Sequence, residues 1–134
     1  REESRKMLRL PGLAFSATCV RIPVYRAHSM AVQAEFDRPS APEEARGLLA
    51  EMPGVRIVDD PAAARYPMPA EAAGADEVLV GRIRKDVSHP NGIALWLSCD
   101  NLRKGAALNA IQIAEEVLRR NLLLRARRVG SWRR

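Results

Sequence analysis

Cys19 to Ser29 reads CVRIPVYRAHS, which gathers a thiol, guanidinium groups and an imidazole, the parts from which acyl-transfer chemistry is built. His28 carries the imidazole. At the edge of an apolar strand face, a half-buried imidazole can take and return a proton. The alternative is a core-edge ring whose nitrogens are satisfied by backbone. Arg21 offers a planar fork of donors suited to a carboxylate or phosphate, the alternative being an ordinary ion-paired surface arginine. The offset from Arg21 to His28 is odd, so an unbroken strand would point the two side chains to opposite faces. A shared site therefore demands a bulge or bend between residues 22 and 27. Pro23, which cannot donate to a ladder, is the residue to cause it. Cys19 also lies at an odd offset from His28 and has no second base in view, which favours a buried structural thiol over a nucleophile.

A second constellation is CDNLRKGAALN, Cys99 to Asn109. Asp100 suits the N-cap of a helix. Arg103 and Lys104 would then sit in a first turn, where positive charge opposes the helix dipole beside free backbone amides. An anion, such as a phosphate-bearing ligand, would turn that conflict into a gain. The alternative is a solvated basic turn balanced by Asp100. Gly105, costly by about 1 kcal/mol inside a helix, suggests close approach of another backbone or a ligand.

Elements must position these groups. Residues 19–37 have the character of a long half-buried strand, with Met30, Val32, Ala34 and Phe36 on one face. A short amphipathic helix follows, opened by a Ser40/Glu43 capping box with Pro42 in its first turn and closed by Pro53-Gly54. Its stripe is Ala41, Ala45, Leu48, Leu49 and Met52. A brief strand, VRIV, ends at Asp59 and Asp60. The proline-punctuated stretch to Asp76 reads as a long ordered excursion. DEVLVGRIRKD and GIALWLSCD, joined by SHPNG, read as an antiparallel hairpin. A final helix from Asp100 carries Leu102, Ala106, Ala110, Ile113 and Val117 on one stripe. The expected class is α+β, a mixed, partly antiparallel sheet covered by helices.

The 134 residues suit one domain, long enough to bury roughly two-thirds of its unfolded surface. With 47% hydrophobic and 28% charged residues, disorder is excluded as a description of the whole. The formal charge of +6 points to nucleic acid only until it is located. Seven arginines and no acid lie in residues 119–134, leaving 15 basic against 16 acidic groups, a net of −1, in the first 118. That division sets the expected organisation: a folded domain over 1–118 and a basic tail over 119–134, solvated or able to touch nucleic acid or an acidic membrane surface through Trp132. No run approaches the ~20 apolar residues of a membrane span, and no secretory leader is apparent. A cytoplasmic protein is expected. Two cysteines without a CxxC or Cys/His partner lead us to expect neither a disulfide nor a structural metal. Arg1 in place of Met suggests a piece of something longer, or a processed product.

SATCVRIPVYRAHSMAV, DDPAAARYPMPAEAAGADEVLVGRIRKD and LSCDNLRKGAALNAIQIAE, in this order, resemble the C-terminal half of aspartate-semialdehyde dehydrogenase, from about Glu3 to about Leu118. The resemblance implies a C-terminal domain of the aspartate-semialdehyde and glyceraldehyde-3-phosphate dehydrogenase type, which also builds a homodimer. It implies reduction of L-aspartyl 4-phosphate to the 4-semialdehyde with NADPH and release of phosphate, in lysine, threonine and methionine biosynthesis. It assigns His28 as the acid/base, Arg21 to the substrate carboxylate and Asn101 to the neighbourhood of NADP. Cys19 matches a common cysteine of the motif and not the family's nucleophile. The nucleophile and the glycine-rich dinucleotide turn match nothing here, so this chain alone is expected to be inactive. Relatives end soon after QIAE, whereas this chain continues into its arginine-rich tail. From the residues alone, the other reading is a non-catalytic dimeric module that binds an anionic ligand or nucleic acid. Nucleic acid is the less favoured partner, and no membrane partner is expected.

Overall fold

The computed structural model describes residues 2–122, so most of the expected basic tail, including Trp132, lies outside the described residues. Helix α1 (Glu2–Leu8) leads into a segment without regular structure. Then come β1 (His28–Glu35), α2 (Pro42–Ala50), β2 (Val55–Ile57), the single turn α3 (Pro69–Ala72), β3 (Val78–Lys85) and β4 (Gly92–Cys99). A π-helical turn, Arg103–Ala107, runs into α4 (Leu108–Arg119). The strands form one sheet in the order β1-β4-β3-β2, with β2 parallel to β3 and the other pairings antiparallel. This is the expected mixed α+β sheet.

Successive strand residues point to opposite faces, and β3 shows it: Leu79 and Val80 are both buried, in different clusters. Val80, Ile83 and Ile93 form one core, against which Ala45 and Leu49 of α2 pack. Leu79 joins Ala27, Val58 and Ala72 on the other side. There Trp96 Nε1 donates to the Pro67 carbonyl at 2.9 Å, tying the proline-rich excursion to β4. At Gly81 a Cβ would run into the Val58 carbonyl and Pro67 Cδ, so only glycine fits.

The register of β3 against β4 slips between Gly81 and Arg84. Arg82 adopts φ 51° there, and its amide and that of Ile83 donate to the Asp59 carboxylate at 2.7 and 3.2 Å. Arg46 of α2 closes on the same carboxylate at 2.5 Å. Asp59 thus satisfies the amides that the bulge removes from the ladder.

Several expectations are corrected. The strand begins at His28, not at Cys19, because the chain leaves the extended region at Ala27, with φ 81°, and turns tightly where Val24 N donates to the Ile22 carbonyl at 2.9 Å. Cys19 is exposed rather than buried. Helix α2 starts at Pro42, and Ser40 Oγ bonds Glu44 at 3.2 Å instead of capping the helix. Leu48 and Met52 of its expected stripe are exposed. The final helix opens as a π turn, in which Gly105 N donates to the Asp100 carbonyl at 3.1 Å. A Cβ at Gly105 would meet Asn101 Cβ at 3.7 Å, ordinary contact, so no close approach explains this glycine. Leu102 and Ile113 of the final stripe are also exposed, since among the described residues α4 packs mainly against the π turn before it.

Candidate functional site

His28 is the first residue of β1, opposite Cys99 in the register, and is exposed. Its placement has two causes. On the strand side, β1 and β4 pair from His28↔Cys99 to Glu35↔Gly92, with the Ser29 and Ser98 hydroxyls bonded at 2.9 Å on the neighbouring face. Ser98 Oγ lies 3.3 Å from the His28 carbonyl, to which it can also donate. On the other side, the Ala27 kink separates the strand from the segment that carries Arg21.

That kink is held by the residues directly after β4. Ala27 N donates to Asn101 Oδ1 at 2.9 Å, and Arg26 Nε pairs with Asp100 Oδ2 at 2.8 Å. Asp100 is fully buried and takes three amides as well: Gly74 N at 2.6 Å, Leu102 N at 2.8 Å and Arg103 N at 3.1 Å. Burial alone would raise its carboxyl. The amides of Gly74, Leu102 and Arg103 and the Arg26 side chain outweigh that and hold it at about 2. Asp100 does cap the turn behind it, as its sequence position suggested. Its ties to Gly74 and Arg26 carried no local signal, because both partners are remote in sequence. Burial and then the Asp100 charge push the half-buried Cys99 thiol up, away from the reactive thiolate.

Asn101 and His28 are therefore brought together, through Ala27. Arg21 is exposed, in no helix or strand, and has no hydrogen bond or ion pair among the described residues. The bend required for a shared site between residues 22 and 27 is present at Ala27. At the helix start, Arg103 is balanced by Asp76 rather than by Asp100, and Lys104 Nζ donates to Gln112 Oε1 at 2.6 Å. A groove along α4, lined by Lys104, Asn109, Gln112, Ile113, Glu116 and Val117, does not include His28. Among the described residues no group of three His, Cys, Asp or Glu could hold a metal ion, and no helix is long and apolar enough to cross a membrane. Val20, Ile22, Val24 and Tyr25, in the segment before His28, are all exposed.

Residues 1–104 match the family model described as semialdehyde dehydrogenase, dimerisation domain. The chain is similar to the aspartate-semialdehyde dehydrogenase of Synechocystis, 52% identical over 122 residues, which are 91% of this chain and 36% of that protein. It is 49% identical over 122 residues to the Bacillus subtilis protein of the same name, 90% of this chain and 35% of that one. The crystal structure of aspartate semialdehyde dehydrogenase II from Vibrio cholerae, complexed with ASA, superposes with a TM-score of 0.81 at 41% identity. It covers 88% of this chain and 34% of that chain. The chain thus spans about a third of the length of the curated relatives it matches.

Proposed function

The chain belongs to the semialdehyde dehydrogenase dimerisation-domain family. From that premise we propose that it is the C-terminal substrate-binding and dimer-forming part of a cytoplasmic, NADP-dependent aspartate-semialdehyde dehydrogenase. The reaction is reductive dephosphorylation of L-aspartyl 4-phosphate to L-aspartate 4-semialdehyde, a step toward lysine, threonine and methionine. The folded domain occupies 1–118 and the basic tail 119–134. The thiol nucleophile and the dinucleotide-binding domain are supplied by sequence outside these 134 residues, so the chain by itself turns nothing over.

One observation carries the reading: the two motifs that bear His28 and Asn101, far apart in sequence, meet at Ala27. An exposed imidazole at the mouth of a strand, fixed on both sides by backbone contacts, can hold a proton for the substrate's reacting end and return it. Arg21, exposed and without an internal partner among the described residues, keeps its guanidinium fork for the substrate carboxylate. Asn101 fits a cofactor contact of one kind. Its Oδ1 is spent on Ala27 N, so it offers an NH2 donor to an acceptor on the nicotinamide cofactor. When bound, NADPH supplies the hydride. The exposed apolar side chains at Val20, Ile22, Val24 and Tyr25, with the uncovered faces of α4, suit burial against a second copy or the cofactor domain.

The test replaces the corresponding residues of the Synechocystis enzyme with this chain and measures NADP reduction dependent on aspartate semialdehyde and phosphate. The expected result is activity that His28→Ala depresses mainly through kcat and Arg21→Ala mainly through KM. A folded, dimeric chimera without activity, or one indifferent to both substitutions, sinks the proposal.

A further inference from the structure

We propose that Arg26 and Asp100 are a positioning pair for this site. By gripping the turn before His28 they set where the imidazole and the Arg21 segment stand. The inference rests on the reading of His28 as the acid/base residue.

The segment 14–27 contains no helix or strand. Among the described residues, it is tied to the turn after β4 at two adjacent points: the ion pair of Arg26 Nε with Asp100 Oδ2 at 2.8 Å, and the hydrogen bond from Ala27 N to Asn101 Oδ1 at 2.9 Å. Consecutive residues are thus held by consecutive residues. The grip is needed because Ala27, buried, sits at φ 81°, a conformation that an L-residue avoids unless its surroundings impose it. Release the grip and the turn relaxes, and His28 is the next residue.

The Asp100 end is rigid. Each carboxylate oxygen is engaged, Oδ1 accepting from the Leu102 and Arg103 amides and Oδ2 accepting from the Gly74 amide while it pairs with the Arg26 guanidinium. The Arg26 end is different: its side chain is 40% exposed. Removing it strips one donor from Asp100 and leaves the three buried amides paired. Arg26 can therefore be altered without dismantling the core, whereas Asp100 cannot. Arg26 touches neither substrate nor cofactor in this assignment and acts through the backbone of residue 27.

The test has two arms. In the chimera with the Synechocystis enzyme, Arg26→Gln is expected to lower kcat/KM about tenfold or more. Arg26→Lys, which keeps the charge and a donor, should recover part of that loss, and both variants should melt close to the parent. In the isotope-labelled 134-residue chain, Arg26→Gln should move the Ala27 amide and His28 ring resonances and leave those of Leu79, Val80 and Ile93 in place. An active chimera in which Arg26→Gln turns over like the parent overturns the inference. So does a loss of activity matched by a collapse in melting temperature and by shifts throughout the sheet, which would make the pair merely structural. An unsubstituted chimera that is folded but inactive refutes the functional reading instead. The resonance arm then still decides whether the pair holds the turn.

Discussion

Asp59 and Asp100 solve the same problem at two places in the molecule. Each is a carboxylate with almost no solvent exposure, 4% and 0% for the side chains. Asp59 takes the amides of Arg82, itself at positive φ, and of Ile83; Asp100 takes those of Gly74, Leu102 and Arg103. Each is closed by one arginine, Arg46 or Arg26, the latter next to Ala27, which is also at positive φ. What differs is what the arginine belongs to. Arg46 stands on α2, whose Ala45 and Leu49 already pack on the core of Val80, Ile83 and Ile93. Arg26 stands on a segment with exposed apolar side chains and few other ties. The same chemistry therefore secures the fold at one end and the functional turn at the other. A buried acid reports what it serves through the packing of its partner.

The sharpest way to break this comparison is to delete each acid. Asp100→Ala leaves the amides of Gly74, Leu102 and Arg103 without partners in a fully buried place, and Arg26 without its counter-charge. We expect no cooperative thermal transition by circular dichroism. A variant that melts like the parent would show that water or a shifted turn replaces the carboxylate. Asp59→Ala should be milder, lowering stability by about 3 kcal/mol in urea unfolding, because it strands two amides rather than three and one of them, on Arg82, is exposed and can find water. Hydrogen exchange at Arg82 and Ile83 should accelerate first. Equal damage from the two deletions would erase the distinction drawn here.

Legibility in the sequence divides along the same line. The hairpin of β3 and β4, the brief β2 and the α2 stripe through Ala45 and Leu49 were readable, because periodicity and turn residues act over a few positions. The bend between residues 22 and 27 was readable as a condition, since the odd offset of Arg21 and His28 required it. Its location at Ala27 was not. Alanine gives no hint of a left-handed backbone, and the groups that impose it arrive from residues 100 and 101. The bulge at Arg82 was hidden for the same reason, its cap being Asp59 on another strand connection. The exposed Cys19 and the bare faces of α4 were misjudged because apolar character marks surfaces to be buried without saying by what.

The smallest effect separates a buried acid from a surface one that is equally acidic. Asp100 and Glu116 both sit at about 2. In Asp100, burial works against four donors that outweigh it. In Glu116, Arg119 leads and Arg120 follows, three and four residues along an exposed helix. A carboxyl whose folded value lies below its unfolded one contributes stability above the unfolded value and loses it as pH falls through the folded one. For Asp100 that window runs from its ordinary 3.8 down to about 2. Unfolding should become easier across that interval, and the Gly74 amide resonance, bonded to Oδ2, should titrate with it. For Glu116 the window runs from its ordinary 4.5 down to about 2, but surface pairs of this kind contribute little once water and salt screen them. Glu116→Gln should therefore leave both the melting temperature and its acid dependence unchanged within measurement error. If it instead flattens the acid limb, the pH dependence belongs to the helix end, and the contrast between buried and exposed acids fails in its last particular.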